Sequence, residues 1–318
     1  MEELPAKFHM EYRAVSSKHF SELQTDVDRL QAANKIHNNE VFQSYIADFK
    51  YQVPKNFPEA KFLIIVAVSK PIAKIQFQYK NEAHDIYIGS PYYDSDYTEE
   101  MVQESLRKRF NLPSDFKLVQ NRKLHLKLLA VRSGLGVYGR NNLCYIGDMG
   151  CFVNLYAFFT DYEGLTDSWE EIKTMKYCET CKICLNNCPT GAIQEDEFVI
   201  DISKCIPLYN EIPGIFPPWI PKNAHNALMG CLKCQLKCPG NHKAIKGICI
   251  LEGMNEEETQ MILDSNIPKE NLEEVCRKLK MIDPEDVTQK LKIFDPKEVE
   301  RMLPRISRNL KALILRDE

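Results

Sequence analysis

The sequence predicts an α+β protein in three parts: a mixed domain built on an antiparallel sheet, a cysteine-rich module and a short helical region. Three observations predict this. Apolar residues in the first half alternate with period two or recur at helical spacing, eight cysteines crowd into the middle, and segments with helix-start signals follow them. We place the three parts at residues 1–170, 171–248 and 249–318.

The beginning of the chain mixes helices with strands. Helical spacing of apolar residues predicts a helix over residues 16–35, and an apolar run predicts a buried strand over 61–70. Alternation predicts two further strands around 75–79 and 86–88, followed by a helix from about 97 to 110. This pattern is typical of an α+β domain.

The remainder of the first part repeats this mixture around a glycine-rich turn at residues 134–139. A short strand over 116–119 and a helix over 124–132 are predicted before the turn. Two strands, over 143–146 and 151–159, are predicted after it. We therefore expect one α+β domain over residues 1–170.

The last part contains three helix-start signals. A proline stands at each predicted start, at positions 268, 284 and 296. Asp283 and Asp295 precede the second and third of these prolines, where they would act as N-caps. The sequence therefore predicts a helical region over residues 249–318.

Composition limits the classes of function. The chain has 318 residues, twelve cysteines and a net charge of −4, so nothing in its overall charge favours binding to nucleic acid. No apolar run has the length of a membrane-spanning helix, which needs roughly 20 residues. The first residues lack a secretory pattern, and we expect a cytoplasmic protein with reduced thiols and no membrane partner.

Four of the cysteines form the run Cys178-x-x-Cys181-x-x-Cys184-x-x-x-Cys188-Pro189. This is the bacterial ferredoxin run, in which three closely spaced thiolates bind one [4Fe-4S] cluster and the fourth binds a second cluster. The run therefore predicts two clusters.

A second run follows in altered form, as Cys231-x-x-Cys234-x-x-x-Cys238-Pro239. Leu228 occupies the position of its expected first cysteine. We infer that Cys205, between the two runs and just after a predicted strand over 199–202, supplies the missing ligand. The predicted ligand sets are Cys178, Cys181, Cys184 and Cys238 for cluster one, and Cys188, Cys205, Cys231 and Cys234 for cluster two.

Two other interpretations of the cysteines are weaker. Cys178, Cys181, Cys231 and Cys234 would make a four-cysteine zinc site, but zinc accounts for neither the other four cysteines nor the two Cys-Pro pairs. Disulfides are disfavoured by the reducing compartment. Four cysteines lie outside the pattern and are interpreted as small buried apolar residues, namely Cys144, Cys151, Cys249 and Cys276.

The segment Gly134-Leu-Gly136-Val-Tyr-Gly139 satisfies G-x-G-x-x-G, the spacing of a dinucleotide-binding fingerprint. That fingerprint requires a strand before it and a helix after it, whereas here a helix precedes and a strand follows. We interpret it as a tight turn whose glycines permit positive φ or close packing.

Residues 133–143, with Gly150-Cys151-Phe152, resemble the Gly-Leu-Gly-x-x-Gly-Lys segment of the epoxyqueuosine reductases, cobalamin-dependent iron-sulfur enzymes. The cysteine module is similar to theirs almost position for position, and the resemblance covers about residues 115–245. It implies a nitroreductase-like N-terminal domain that holds a corrinoid such as cobalamin, with electrons passing through the clusters to it. The residues implied to line the corrinoid site are Gly134, Gly136, Gly139, Arg140 and Asn141.

The resemblance also implies partners: a low-potential electron donor such as ferredoxin or flavodoxin, and tRNA as the bearer of the substrate. One departure concerns the proton donor. Gln120 stands at the position of the Asp that is the family's proposed donor, and a glutamine side chain cannot titrate. Two functions follow, an iron-sulfur oxidoreductase or a non-catalytic ferredoxin-type protein that docks a partner enzyme.

Overall fold

The computed structural model of the chain describes residues 8–315, apart from 48, 95–96, 114–115, 196–197 and 282–295. Its strands are β1 Met10–Ser16, β2 Phe62–Ser69, β3 Ala73–Tyr79, β4 Glu82–Ile88, β5 Val119–Gln120, β6 Val137–Tyr138, β7 Cys144–Tyr145, β8 Val153–Thr160 and β9 Cys249–Ile250. Its α-helices are α1 Phe20–Ala32, α2 Glu40–Ile46, α3 Glu99–Phe110, α4 Leu126–Arg132, α5 Ile183–Asn187, α6 Pro207–Asn210, α7 Glu256–Leu263, α8 Lys269–Leu279 and α9 Pro296–Ile314.

These elements form two compact units that are interleaved along the chain. The first unit comprises residues 1–69, 95–181 and 196–199, and the second comprises 70–94, 182–195 and 200–318. These boundaries differ from the predicted ones, which lie after residues 170 and 248. The predicted division into three parts stays a prediction. Each unit has its own sheet and its own apolar core.

The first unit is built on an antiparallel sheet with strand order β1-β2-β8-β5. Strand β2 lies inside the sheet, so its side chains are buried on both faces. Leu63 and Ile65 join the apolar cluster that includes residues of α1 and α4. Ile64 and Val66 join another cluster with residues of α3. Helices on both faces explain why this strand is a continuous apolar run.

The second unit contains the hairpin β3–β4, whose two-residue turn has Lys80 and Asn81 at φ 50° and 62°. Such positive φ values at both positions match the twist of a two-residue hairpin. Strand β9 pairs with β3 in parallel, and helices α7, α8 and α9 contribute to the apolar core against this sheet. Within the described residues, no helix is both long and apolar enough to cross a membrane.

The predicted mixture of helices with an antiparallel sheet is confirmed in the first unit. Helices α1, α3 and α4 and strands β2 and β8 lie within four residues of their predicted bounds. Strand β1 and helices α2 and α7 were not predicted. The predicted helix start at Pro284 lies outside the described residues, whereas α8 and α9 begin directly after or at their predicted prolines.

Two predictions about strands need correction. The alternating strands over 75–79 and 86–88 do form, but they belong to the second unit and not to the sheet of the first. The strand predicted over 199–202 is absent from the described residues, and a 3₁₀ helix runs over Ile202–Lys204 instead. The Asp201 side chain accepts a hydrogen bond from the Ser203 N–H at 3.1 Å, and this local cap favours a turn over an extended strand.

Candidate metal centre and the glycine turn

None of the eight patterned cysteines forms a disulfide in the structure. None lies within a strand; Cys178 is in a 3₁₀ helix, Cys184 is in the short helix α5, and the rest are in loops. Cys178 and Cys181 belong to the first unit, and the other six belong to the second. Eight thiols on loops are a donor set that fits two [4Fe-4S] clusters.

The end of the first run presents a sulfur with hydrogen-bond donors around it. Helix α5 ends at Asn187, and the Cys188 N–H closes its last turn on the Leu185 carbonyl. The Ala192 N–H donates to the Cys188 Sγ at 3.3 Å, and the Thr190 hydroxyl lies 3.7 Å from the same sulfur. Hydrogen bonds to ligand sulfurs help to set the reduction potential of a cluster.

The Cys231 thiol of the second run lies close to this sulfur. Burial raises the pKa of Cys231 to about 11, a hydrogen bond from the Lys233 backbone lowers it in part, and the neighbouring Cys188 raises it again. The two thiols are therefore near enough to interact electrostatically. This proximity agrees with the prediction that both bind cluster two, and iron binding would replace the thiol protons.

The predicted ligand set requires that Cys205, and not Leu228, lies where it can bind cluster two. Leu228 is fully buried in the apolar core of the second unit, and its N–H donates to the Tyr87 carbonyl at 2.7 Å. Cys205 follows the 3₁₀ helix Ile202–Lys204 and is half-buried. Its neighbour Ile206 lies in a small apolar cluster against which Cys231 packs. Cys205 is thus on the segment adjoining the second run.

Two buried asparagines support the loop that leads into Cys231, and sequence reasoning missed both. The Asn210 side chain donates to the Gly230 carbonyl at 2.6 Å and accepts from the Gly230 N–H at 3.2 Å. The Asn309 side chain donates to the Leu228 carbonyl at 2.9 Å. Gly230 has φ 80°, which favours glycine. Gly230 is the feature of the sequence that could have indicated a tight turn before Cys231.

The glycine turn of the first unit, residues 134–139, follows α4 as predicted and contains the short strand β6, which was not predicted. Strand β7 lies within the strand predicted over 143–146. Gly134 has φ 69°, which requires little or no side chain. A Cβ at Gly136 would meet the Cys144 Sγ at 2.6 Å, and one at Gly139 would meet the Tyr145 ring at 2.6 Å. Contacts within the chain therefore account for all three glycines. The predicted corrinoid site at this turn stays a prediction.

The turn is joined to the segment that carries the first cluster cysteine. The Arg140 side chain, which is 5% exposed, donates from Nη2 to the Cys178 carbonyl at 2.5 Å. The Tyr138 N–H donates to the Lys173 carbonyl and the Met175 N–H donates to the Tyr138 carbonyl, each at 2.9 Å. The predicted corrinoid segment and the first cysteine of cluster one are thus neighbours within one unit.

Asn141, the last residue predicted in this segment, is also buried. Its side chain donates from Nδ2 to the Tyr145 hydroxyl at 2.9 Å, and its Oδ1 accepts from the Leu143 N–H at 3.4 Å. These bonds hold the turn between β6 and β7. Asn141 therefore has a structural role.

Gln120 ends the edge strand β5, opposite Phe158 of β8. Its Oε1 accepts a hydrogen bond from the Arg122 Nε at 2.6 Å. The Arg122 Nη2 also donates to the Glu99 carboxylate at 3.1 Å. The side chain at position 120 is therefore oriented by an arginine and has no proton to release.

Tyr51, His125 and Tyr138 are protic side chains of the first unit near the glycine turn. The Tyr51 hydroxyl is hydrogen-bonded to the His125 Nδ1. Burial, followed by the charge of Lys127, lowers the pKa of His125 to about 4, so the imidazole is neutral at neutral pH. Burial chiefly raises the pKa of both tyrosines. All three groups thus retain neutral, hydrogen-bonding forms.

The four cysteines outside the pattern show no shared site. Cys144 and Cys276 are buried, as predicted, whereas Cys151 and Cys249 are half-buried. Burial raises the pKa of Cys144 to about 12, which makes its thiol unreactive. Within the described residues, no group of three or more His, Cys, Asp or Glu side chains is placed to hold a single metal ion.

A family model described as "4Fe-4S double cluster binding domain" matches residues 177–241. This range contains all eight patterned cysteines. An epoxyqueuosine reductase of Atelocyanobacterium thalassa is 36% identical over 123 residues, which are 38% of this chain and 38% of that protein. The matched segment therefore covers well under half of that relative.

Solved structures extend the likeness to nearly the whole chain. The structure of epoxyqueuosine reductase from Streptococcus thermophilus has a TM-score of 0.62 and 17% sequence identity, covering 96% of this chain and 77% of its own. An epoxyqueuosine reductase solved with an epoxyqueuosine-modified tRNA-Tyr stem loop has a TM-score of 0.58 and 17% identity, covering 98% and 77%. The chain is therefore similar in fold to epoxyqueuosine reductases, similar in sequence to them over part of its length, and matches a double [4Fe-4S] cluster binding domain over residues 177–241.

Proposed function

We propose that the protein is an iron-sulfur oxidoreductase of the epoxyqueuosine reductase type. It passes low-potential electrons through two [4Fe-4S] clusters to a corrinoid or a substrate in a nitroreductase-like N-terminal domain. The observation that carries this proposal is the complete set of eight patterned cysteines within the double-cluster domain. A cytoplasmic location is part of the proposal, because a reducing compartment keeps thiols available to iron.

We further infer that electrons flow from cluster two to cluster one. Cluster two, with its four predicted ligands in the second unit, would receive electrons, and cluster one would pass them on. The Arg140 contact to the Cys178 carbonyl supports the second step, because it joins a cluster-one ligand to the glycine turn. A corrinoid bound at this turn would supply the two-electron chemistry of the reduction.

The substrate class follows from the relatives. Reduction of an epoxide to an alkene consumes two electrons and two protons and releases water. One of the related structures was solved with a modified tRNA stem loop, so we propose epoxyqueuosine in tRNA as the substrate and tRNA as a partner. The clusters supply the electrons, and protic side chains of the first unit or water supply the protons.

Iron content tests the cluster prediction. Two four-iron clusters account for all patterned cysteines, so anaerobically reconstituted protein should contain about eight iron atoms per chain. Iron and acid-labile sulfide are measured on the same sample. Cys151→Ser is the control and should leave the iron content unchanged. Four or fewer iron atoms in fully reconstituted protein would show that the two-cluster assignment is wrong.

A second function, a non-catalytic ferredoxin-type protein that docks a partner enzyme, is favoured by Gln120. Its hydrogen bond from Arg122 occupies the amide oxygen, and no acid stands at the position of the family's proposed donor. Clusters alone would suffice for such a protein. It would have no corrinoid.

Titration with cobalamin separates the two functions. If the first unit binds a corrinoid, the absorption spectrum of added cobalamin should shift as the axial ligands and the surroundings of the cobalt change. A small two-cluster ferredoxin without a preceding domain is the control and should give no shift. A flat titration with folded, iron-loaded protein would contradict the corrinoid proposal and support the electron carrier.

A further inference from the structure

A proline-rich segment of the second unit, residues 212–221, exposes large apolar side chains; we call it the proline loop. Ile215 is 92% exposed and Trp219 is 47% exposed. Phe216 and Ile220 of the same loop instead lie in or against the small apolar cluster that Cys231 contacts. The loop therefore packs beside a predicted ligand of cluster two and displays two apolar side chains to solvent.

The last helix holds the proline loop in this conformation. The Arg308 Nη1 donates to the Ile212 and Gly214 carbonyls at 3.0 and 2.5 Å, and its guanidinium lies 4.2 Å from the centre of the Phe216 ring. The Arg305 Nη1 donates to the Glu211 carbonyl at 2.6 Å. These contacts fix the loop before any partner arrives. A surface that is ordered in advance loses less entropy on binding.

The proline loop and the chain that follows it are basic, although Glu211 directly precedes the loop. Residues 212–251 contain five lysines and no aspartate or glutamate. Four of these lysines are exposed and the fifth is half-buried; they are Lys222, Lys237, Lys243, Lys246 and, half-buried, Lys233. Lys233 and Lys237 stand between the cysteines of the second run. The segment around cluster two thus carries a local positive charge, although the whole chain has a net charge of −4.

We propose that the proline loop and these lysines form the docking surface for a small acidic protein that delivers electrons to cluster two. This inference rests on the proposed function. A small apolar contact surrounded by complementary charge suits a transient electron-transfer complex, in which the charges steer the encounter. One electron leaves the reduced carrier and enters the oxidised cluster, so the carrier is oxidised and the cluster reduced. No bond forms or breaks.

The side-chain types favour a protein over RNA as the occupant. RNA-binding surfaces stack bases on aromatic rings and arginine planes. The most exposed apolar side chain here is the aliphatic Ile215, and the basic residues of this segment are all lysines. An exposed aliphatic side chain on a segment whose charged residues are all lysines fits an acidic protein surface that has an apolar centre.

Binding of a flavodoxin to the iron-loaded protein tests the docking surface without electron transfer. Calorimetry with oxidised flavodoxin should give a Kd that weakens steeply as salt rises, because charges contribute to the encounter. Ile215→Ser and Lys222→Glu should each raise the Kd about tenfold, a change of about 1.4 kcal/mol. Ile172→Ser and Lys55→Glu, which alter exposed residues of the first unit, are matched controls and should leave it unchanged.

Cluster reduction kinetics provide the second readout. Flavodoxin hydroquinone should reduce the clusters of Ile215→Ser and Lys222→Glu about tenfold more slowly than those of the wild type, whereas dithionite, which needs no docking surface, should reduce all of them equally. Equal rates with flavodoxin would overturn the docking surface and leave the proposed function intact. Clusters that dithionite cannot reduce would instead contradict the proposed function. If the variants lose affinity only for a tRNA stem loop, the surface binds RNA and the inference is wrong.

Discussion

Replacing Cys205 with alanine is expected to remove the second cluster and leave the first. Iron content should fall from about eight to about four atoms per chain, because a four-iron cluster requires its four thiolates. Leu228, which stands at the position of the expected first cysteine, cannot take its place, because it is fully buried in the apolar core and its side chain has no ligand atom. Anaerobic reconstitution with iron and sulfide analysis measures the loss. Electron paramagnetic resonance of the reduced protein shows which cluster signal remains.

The matched control for this experiment is Cys249→Ala. Cys249 is also a half-buried cysteine of the second unit, but it lies in β9, and its N–H donates to the Ile72 carbonyl. This variant should retain both clusters. If Cys205→Ala keeps about eight iron atoms with unchanged spectra while Cys249→Ala loses half, the ligand assignment is wrong and Cys249 binds the cluster.

The cluster-binding module could be predicted from the sequence because most ligands of such clusters lie at short, regular spacing. Two runs of cysteines, each ending in Cys-Pro, were sufficient to predict a double-cluster domain, which the family model confirms over residues 177–241. The ligand Cys205 needed an argument by position, and it stays a prediction. What surrounds the clusters could not be predicted. The Asn309 side chain bonds to the Leu228 carbonyl, and no local pattern connects two residues so far apart.

The sheets illustrate the same limit. Strand β2 was predictable because burial on both faces makes it continuously apolar. The hairpin β3–β4 was predictable from alternation, but alternation does not determine which sheet a strand joins. Here β3 pairs with β9, from Ala73 to Cys249, and so the hairpin belongs to the second unit. Pairing between distant segments is decided by the packing of the whole core.

The predicted strand over 199–202 shows how local polar bonds override propensity. Its apolar residues suit a strand, but the Asp201 carboxylate accepts from both the N–H and the hydroxyl of Ser203. Aspartate side chains that bond to nearby backbone favour turns and helix starts. The resulting 3₁₀ helix, Ile202–Lys204, leads directly into Cys205. A 3₁₀ helix, and not a strand, therefore positions Cys205, which remains the proposed ligand.

Introducing an acid at position 120 is expected to accelerate reduction of epoxyqueuosine in tRNA. General acid catalysis contributes typically 10²- to 10⁴-fold, and the Gln120 amide cannot provide it. Gln120→Asp should therefore raise a slow wild-type rate within that range. Single-turnover reduction with chemically reduced, cluster-loaded protein measures the effect, since it isolates the chemical step from electron delivery.

We expect the rate increase in Gln120→Asp to lie near the lower end of this range, because Arg122 is close to the side chain at position 120. The Arg122 Nε donates to the side chain at position 120, and this charge would lower the pKa of an aspartate there and keep it ionised. Gln120→Asp combined with Arg122→Gln should therefore be faster than Gln120→Asp alone, with a pH–rate profile shifted to higher pH. Gln120→Asn, which has the length of aspartate without its proton, is the matched control and should give no gain.

A wild-type rate that is already fast, and that does not change in Gln120→Asp, would show that the proton has another source. The neutral pair of Tyr51 and His125 is then the first group to replace, because it lies in the same unit and is hydrogen-bonded. Tyr51→Phe would break that bond while keeping the ring. No epoxyqueuosine reduction by any variant, in protein with about eight iron atoms, would contradict this substrate and direct the search to another acceptor for the electrons.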